Sequence, residues 1–222
     1  MKLKGKIIDF LGDSNTYGAG VENPKNCYHS LLKKKYKLKA VYTHAISGSR
    51  FAHQIVPSEV PRYDLCFCGR AYDLYDKADV IVVYGGVNDY IHGDAPIGNF
   101  GDETPATFYG AVYFLMNLLQ TRYTAKVVFI TPARVCYKGE VEGRPSTRPM
   151  KKPDALPLKG YCDIIKQTAE KFSIPVLDLY DGLGIDPNIP EDKEKYTTDG
   201  LHLNDVGHHI LAEKLGALLE SL

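Results

Sequence analysis

Four short motifs in the sequence carry side chains that could together cleave an acyl bond. The first, Gly12-Asp13-Ser14-Asn15-Thr16, follows an apolar run. A serine at such a strand-to-helix turn exposes its hydroxyl, and its own N–H can point at a developing oxyanion. The second, Asp199-Gly200-Leu201-His202, places a carboxylate three residues before an imidazole. That carboxylate can accept from Nδ1, which leaves Nε2 free to take a proton from a serine.

The other two motifs supply hydrogen-bond donors. The segment Gly86-Val87-Asn88-Asp89 follows a β-branched run, and the side-chain NH2 of Asn88 is a natural donor to an oxyanion. Gly48 follows another apolar segment, and a glycine there presents an unobstructed N–H to a substrate. Each motif alone is common turn chemistry. Together they predict a nucleophile, a base with its orienting acid, and three oxyanion donors, which is the inventory of acyl transfer.

A parallel sheet would bring these motifs together. Short apolar runs bounded by glycine and proline predict five strands, at residues 3–11, 38–46, 79–84, 126–131 and 174–179. Helical spacing of apolar residues predicts helices at 25–37, 104–121, 157–172 and 205–220. This alternation favours a parallel sheet covered by helices on both faces. The four motifs then lie at the carboxyl edge of the sheet, where such folds bind ligands.

Two helix starts are predicted from capping residues. Thr104 is expected to cap the helix at 104–121, with Pro105 in its first turn, and Asn204 or Asp205 the last helix. Long loops are expected at 91–103 and 137–156, both following strands and therefore overhanging the same edge.

The motifs, in this order, resemble those of the SGNH hydrolase superfamily, also called GDSL-type esterases, lipases or acylhydrolases. The resemblance covers nearly the whole chain. The blocks are similar as follows: GDS-x-T at Gly12–Thr16, the glycine of the second block at Gly48, G-x-N-D at Gly86–Asp89, and D-x-x-H at Asp199–His202. The resemblance implies a flavodoxin-like three-layer α/β/α sandwich with a five-stranded parallel sheet.

The resemblance also assigns roles to single residues. It implies that Ser14 is the nucleophile, that His202 is the base, and that Asp199 orients His202. The oxyanion hole would consist of the Ser14 N–H, the Gly48 N–H and the Asn88 side chain. No metal or other cofactor is implied. Asp13 is expected to brace the nucleophile turn.

Other polar residues near these motifs are expected to have supporting roles or to contact the substrate. Asp89 is expected to orient Asn88 and the neighbouring backbone. His92, which follows this motif closely, is a candidate substrate contact. The pair Cys66-x-Cys68 is expected to be two buried thiols, since no second pair has the spacing of a zinc site.

Composition and charge fit one globular domain over residues 1–222. The 27 basic and 27 acidic residues give a formal net charge of zero, which argues against a nucleic-acid partner. No run approaches the ~20 apolar residues of a membrane span. The five cysteines match no disulfide framework, and the N-terminus lacks a signal-peptide pattern, so a cytoplasmic location is expected.

The sequence therefore predicts a serine esterase that removes a small acyl group, with acetyl preferred, from a small-molecule or carbohydrate-linked ester. Two alternatives stay open. One is a lipid-directed acylhydrolase, such as a lysophospholipase or a thioesterase. The other is a flavodoxin-like binding module without catalysis, although the first turn lacks a G-x-G-x-x-G fingerprint and a Walker lysine. The oligomeric state is left undetermined.

Overall fold

The computed structural model describes residues 1–58, 60–136 and 156–222, so the predicted loop at 137–156 lies almost wholly outside the described residues. The described residues form one all-parallel sheet of five strands: β1 (Ile7–Gly12), β2 (Ala40–Ala45), β3 (Val80–Tyr84), β4 (Lys126–Ile130) and β5 (Val176–Leu177). Their spatial order is β2-β1-β3-β4-β5. That is the strand order of flavodoxin-like folds, so the predicted sheet is confirmed.

Nine α-helices connect and cover the strands within the described ranges: α1 (Ser14–Tyr17), α2 (Tyr28–Tyr36), α3 (Phe67–Arg70), α4 (Val87–His92), α5 (Phe108–Arg122), α6 (Leu158–Lys171), α7 (Leu179–Gly182), α8 (Pro190–Tyr196) and α9 (Asp205–Ser221). None of the described helices is long and apolar enough to cross a membrane.

The central strands are buried on both faces, and their alternating side chains enter two separate cores. On one face, Ile81 and Val83 of β3 pack in a cluster with residues of α3, α5 and α6. On the other face, Val80 and Val82 pack in a cluster with residues of α2 and α9. Full burial of each such side chain stabilises the fold by about 1.5–3 kcal/mol. The result is the expected three-layer α/β/α arrangement.

The two helix starts predicted from capping have different outcomes. The prediction of Thr104 as the cap of α5 is wrong. The helix begins at Phe108, and the hydroxyl of Thr107 accepts from the N–H of Gly110 at 3.0 Å. Because the Pro105 carbonyl accepts from His53 N–H, the segment before Thr107 is used in a long-range contact. For α9, the Asn204 alternative is confirmed, since its side chain accepts from two N–H groups of the first turn.

The fifth strand is much shorter than the predicted segment 174–179. Only Val176 and Leu177 pair with β4. Pro175 has no N–H to donate, and the side chain of Asp178 accepts from the N–H groups of Tyr180 and Asp181 as the cap of α7. Proline before the strand and a capping residue after it therefore limit its length.

The strand register brings three chain segments to one place. Gly12, the last residue of β1, lies opposite Ala45 of β2 and Tyr84 of β3. Ser14, Gly48 and Asn88 each follow one of these strands within a few residues. The parallel arrangement thus places them at the same edge of the sheet.

Candidate active site

Ser14, His202 and Asp199 form a continuous hydrogen-bonded chain. His202 Nε2 lies 2.9 Å from Ser14 Oγ, and His202 Nδ1 lies 2.7 Å from Asp199 Oδ2. The second oxygen of Asp199 accepts from the backbone N–H groups of Leu201 at 2.9 Å and His202 at 2.8 Å. The sequence spacing predicted this contact, because a carboxylate three residues before an imidazole can reach it through one turn.

The charge state of Asp199 fixes the tautomer of the imidazole. Partial burial raises the pKa of Asp199, but the hydrogen bonds from His202 outweigh burial and lower it to about 2. An ionised carboxylate can only accept, so His202 Nδ1 must carry the proton that lies between them. In the neutral ring, Nε2 is then an acceptor facing the hydroxyl of Ser14. The arrangement is that of a general base within reach of the proton it would remove.

The turn that carries Ser14 is tightly built. Asp13 caps α1, because its Oδ1 accepts from Asn15 N–H at 3.0 Å, as the sequence predicted. A Cβ at Gly12 would lie 2.1 Å from Thr16 Oγ1, so no other residue fits there without displacing that hydroxyl. The Thr16 hydroxyl is itself within 2.9 Å of the buried Tyr28 hydroxyl. These contacts fix the backbone at Ser14.

Asn88 is held at the cleft by three polar neighbours. Its Nδ2 donates to the Ser49 carbonyl at 3.0 Å and lies 3.3 Å from Asp13 Oδ2. Its Oδ1 lies 3.1 Å from His92 Nε2. His92 is only 1% exposed, so it positions Asn88 from behind and does not face the cleft.

The carboxylate of Asp89 ties α4 to the segment that follows Gly48. It accepts from the backbone N–H groups of Phe51 at 2.9 Å and Ala52 at 3.0 Å. Burial raises its pKa to about 7, against the opposing effect of these two hydrogen bonds. Gly48 itself has a φ of +83°, the left-handed region that glycine adopts without strain. Asp89 therefore orients neighbouring backbone, as expected.

Arg70 also holds the edge together, although it belongs to none of the four motifs. Its guanidinium donates to the Gly12 carbonyl at 3.2 Å and to Ser49 Oγ at 2.8 Å, and it also donates to the His44 carbonyl. Burial lowers its pKa to about 10, which leaves it charged at neutral pH. Because its partners lie 21 to 58 residues away, no local pattern could reveal it.

The two cysteines before Arg70 are buried, as predicted. Cys66 Sγ accepts from Gly69 N–H, and Cys68 Sγ donates to the Ala111 carbonyl. Among the described residues, no group of three or more His, Cys, Asp or Glu side chains is placed to hold a metal ion.

A cleft of about 140 Å³ opens at the carboxyl edge of the sheet, lined by Ser14, Ala19, Ser47, Gly48, Arg62, Asn88, Leu201 and His202. The predicted site residues are thus brought together, with Asp199 behind His202. Arg62 is an addition that the sequence did not predict, because it belongs to none of the four motifs.

Comparison with known proteins identifies the family of this chain. Residues 10–210 match the model of the GDSL-like Lipase/Acylhydrolase family. A solved structure of a protein from Lactobacillus plantarum is 31% identical with a TM-score of 0.82, and the match covers 98% of each chain. No match was found among curated proteins.

More distant structures share the fold. A candidate GDSL-like lipase from Bacteroides uniformis is 17% identical with a TM-score of 0.69, over 98% of this chain and 96% of the other. An acetyl xylan esterase is 23% identical with a TM-score of 0.59, over 95% of this chain and 98% of the other. The family match spans most of the sequence, and the chain therefore belongs to the GDSL-like lipase/acylhydrolase family of the SGNH superfamily, as a serine hydrolase that cleaves ester bonds.

Proposed function

We propose that this protein is an esterase that removes a short acyl group, with acetyl preferred, from a small-molecule or carbohydrate alcohol. The observation that carries the proposal is the hydrogen-bonded chain from Asp199 through His202 to Ser14. The three side chains lie in the order that a nucleophile, a base and an orienting acid require.

The reaction would proceed through an acyl-enzyme. His202 Nε2 takes the proton of Ser14 Oγ while that oxygen attacks the ester carbonyl, and Asp199 stabilises the resulting imidazolium. The tetrahedral intermediate collapses, the bond to the alcohol breaks, and His202 returns the proton to the leaving oxygen. A water molecule, deprotonated by the same nitrogen, then attacks the acyl-enzyme and releases the carboxylic acid and free Ser14.

The oxyanion of the tetrahedral intermediate would accept hydrogen bonds from three donors. Two are the backbone N–H groups of Ser14 and Gly48, and both of these residues line the cleft. The third is Asn88 Nδ2, whose bond to Ser49 is firm and whose contact with Asp13 is longer, at 3.3 Å. A substrate oxygen would replace that longer contact. One such donor contributes about 10²–10³ in turnover.

The room beside the nucleophile supports a short acyl group. A second recess adjoins the Ser14 turn, and it leaves only about 10 Å³ of free space, lined by Asn15, Tyr84, Gly85, Val87, Pro132, Ala133, Val135 and Leu201. That is about the volume needed by one water molecule, and a methyl group is of similar size. We propose that the acyl methyl group enters this recess from the Ser14 cleft, and a long acyl chain would not fit the recess unless its walls moved. The acetyl xylan esterase of the same fold makes acetylated sugars a reasonable substrate class to include.

The first test is hydrolysis of p-nitrophenyl acetate. Ser14→Ala is expected to abolish turnover, whereas Ser221→Ala, an exposed serine at the end of α9, is expected to leave it unchanged. A fluorophosphonate probe should label the wild type at Ser14 and fail to label the Ser14→Ala variant. Full activity in purified Ser14→Ala protein would contradict the proposal, and absence of labelling in the wild type would favour a binding module.

The second test concerns the acyl group. In a series of p-nitrophenyl esters from acetate to decanoate, kcat/KM is expected to be highest for acetate and to fall as the chain lengthens. A rise towards longer chains would instead favour the lipid-directed alternative, with the recess opening in the presence of an apolar chain.

A further inference from the structure

The guanidinium of Arg70 joins two of the chain segments that carry the proposed oxyanion donors. Its Nη2 donates to the carbonyl of Gly12 at 3.2 Å and to Ser49 Oγ at 2.8 Å. Gly12 precedes Ser14 by two residues, and Ser49 directly follows Gly48. One buried side chain is therefore hydrogen-bonded next to both of the backbone donors.

Ser49 connects Arg70 to the third donor, the side chain of Asn88. The Ser49 carbonyl accepts from Asn88 Nδ2 at 3.0 Å, which engages one of the two amide hydrogens and leaves the second for an oxyanion. The Ser49 hydroxyl accepts from Arg70 and donates to the Ile46 carbonyl at 2.7 Å. Ser49 is fully buried, so water does not compete for these contacts. The position of the Asn88 amide therefore depends on Ser49, and that of Ser49 on Arg70.

Aromatic packing holds Arg70 itself in place. Arg70 ends the one-turn helix α3, and its guanidinium lies 4.8 Å from the ring centroid of Phe67 in the same helix. Phe67 is fully buried and packs edge-on against Phe51, with 4.7 Å between the ring centroids. Its N–H donates to the Arg50 carbonyl at 2.8 Å. Because Arg50 and Phe51 directly follow Ser49, α3 and the oxyanion segment pack as one unit.

The contacts of Arg70 require the shape of a guanidinium as well as its charge. Besides Gly12 and Ser49, the side chain also donates to the carbonyl of His44 in β2, through Nη1. The planar fork of arginine directs donors from two nitrogens at acceptors on three separate segments. The single nitrogen of a lysine keeps the charge but does not reach all three acceptors. The substitution Arg70→Lys therefore separates charge from geometry.

We propose that Arg70 is a positioning residue for the oxyanion hole, which fixes the spacing of the three donors through its bonds to Gly12 and Ser49. This inference rests on the esterase function and the donors proposed above. Donors stabilise the transition state only when they lie within hydrogen-bond distance of the developing oxyanion, and a misplacement of about 1 Å can cost about 10² in rate. Binding of a small ester in the ground state depends much less on them. Loss of the Arg70 contacts should therefore lower kcat and leave KM nearly unchanged.

The experiment is a double-mutant cycle on the hydrolysis of p-nitrophenyl acetate. The values of kcat and KM are measured for the wild type, Arg70→Lys, Asn88→Ala and the double variant. Each rate is divided by the concentration of active sites, counted by fluorophosphonate labelling carried to completion, so that loss of folded protein does not enter the comparison. Arg122→Lys makes the same exchange at an exposed arginine at the end of α5, and this control should keep the wild-type kcat and KM.

Arg70→Lys is expected to lower kcat by about 10–100-fold and to change KM by less than about threefold. In the Asn88→Ala background, the same exchange should cost at least about threefold less in kcat, because the part of the loss that is transmitted to Asn88 is already gone. A purely structural role would give the same factor in both backgrounds. If Arg70→Lys does not fold, Ser49→Ala takes its place in the cycle, since it removes only the hydroxyl that Arg70 binds, and the same coupling is expected.

Two results would overturn the inference, and they are distinguishable. If the wild type is active and Arg70→Lys leaves kcat unchanged, or lowers it by the same factor with and without Asn88, Arg70 does not act through the oxyanion hole and the esterase function stands. If the wild type does not hydrolyse the ester, the esterase function fails and the role of Arg70 fails with it.

Discussion

Replacing Asp199 by asparagine should move the proton of the neutral His202 ring from Nδ1 to Nε2 while leaving the local backbone in place. In the wild type, Asp199 Oδ2 lies 2.7 Å from His202 Nδ1, and Oδ1 accepts from the N–H groups of Leu201 and His202. An asparagine can keep its oxygen on those two N–H groups. Its NH2 then faces Nδ1, which must become an acceptor, so Nε2 carries the proton and can no longer take one from Ser14.

The expected size of this effect follows from losing the base. With the wrong tautomer dominant, kcat is expected to fall about 10⁴-fold, which corresponds to about 5.5 kcal/mol in the activation free energy. Because the two backbone hydrogen bonds survive, the melting temperature should change by only a few degrees. The assay is p-nitrophenyl acetate hydrolysis together with the rate of fluorophosphonate labelling, and both should fall in parallel.

A matched control uses the same exchange in the same region. Asp205→Asn changes a carboxylate in the first turn of α9 that accepts from Glu22 N–H and Asn26, and it should leave the activity within about twofold. If folded Asp199→Asn protein retained more than a tenth of the wild-type kcat, the carboxylate would not be setting the tautomer, and the reasoning would be refuted.

Three further outcomes are expected. Asn88→Ala should lower kcat for p-nitrophenyl acetate by about 10²–10³ with a smaller change in KM. A rise in KM of the same size with kcat unchanged would show that Asn88 acts in substrate binding and not in the chemical step. Gly48→Ala should destabilise the protein by about 1–2 kcal/mol, because its φ of +83° is strained for alanine, and should lower kcat; unchanged urea midpoint and kcat would contradict this. The pKa of Asp89 is about 7 in the folded chain against an ordinary value of 3.8. The free energy of unfolding should therefore fall by up to about 4 kcal/mol as the pH rises from about 4 to 7. Urea unfolding at pH 4 and pH 7 should show this fall in the wild type and not in Asp89→Asn. The same fall in both proteins would exclude Asp89 as its source.

The strands and the four motifs could be predicted because their signals are local. The β-branched run before Gly85 forms β3, and the glycine-rich turns mark where each strand leaves the sheet. Once a parallel sheet is inferred, its carboxyl edge brings Ser14, Gly48 and Asn88 together without further information. The Asp199 and His202 contact needs only one turn of chain.

Features that depend on distant contacts could not be predicted in the same way. Neither Arg70 nor Arg62 belongs to a local motif: Arg70 is placed by hydrogen bonds to segments far along the chain, and Arg62 reaches the cleft only in the folded chain. The cap of α5 is Thr107 and not the predicted Thr104, and the hydrogen bond between the Pro105 carbonyl and His53 N–H is a long-range contact that the local pattern does not contain. The substrate preference and the single-domain organisation stay predictions.

The placement of Asp199 and His202 in one turn divides the site into two pieces. The proposed nucleophile and oxyanion donors all lie within the first 88 residues, whereas the proposed acid and base lie together just before α9, and His202 follows Ser14 by 188 residues. Asp199 and His202 reach Ser14 only when α9 is packed against α2 and the sheet. Under the proposed mechanism, activity depends on that docking, and partial unfolding that releases only the C-terminal helix would abolish activity while most of the sheet stays intact.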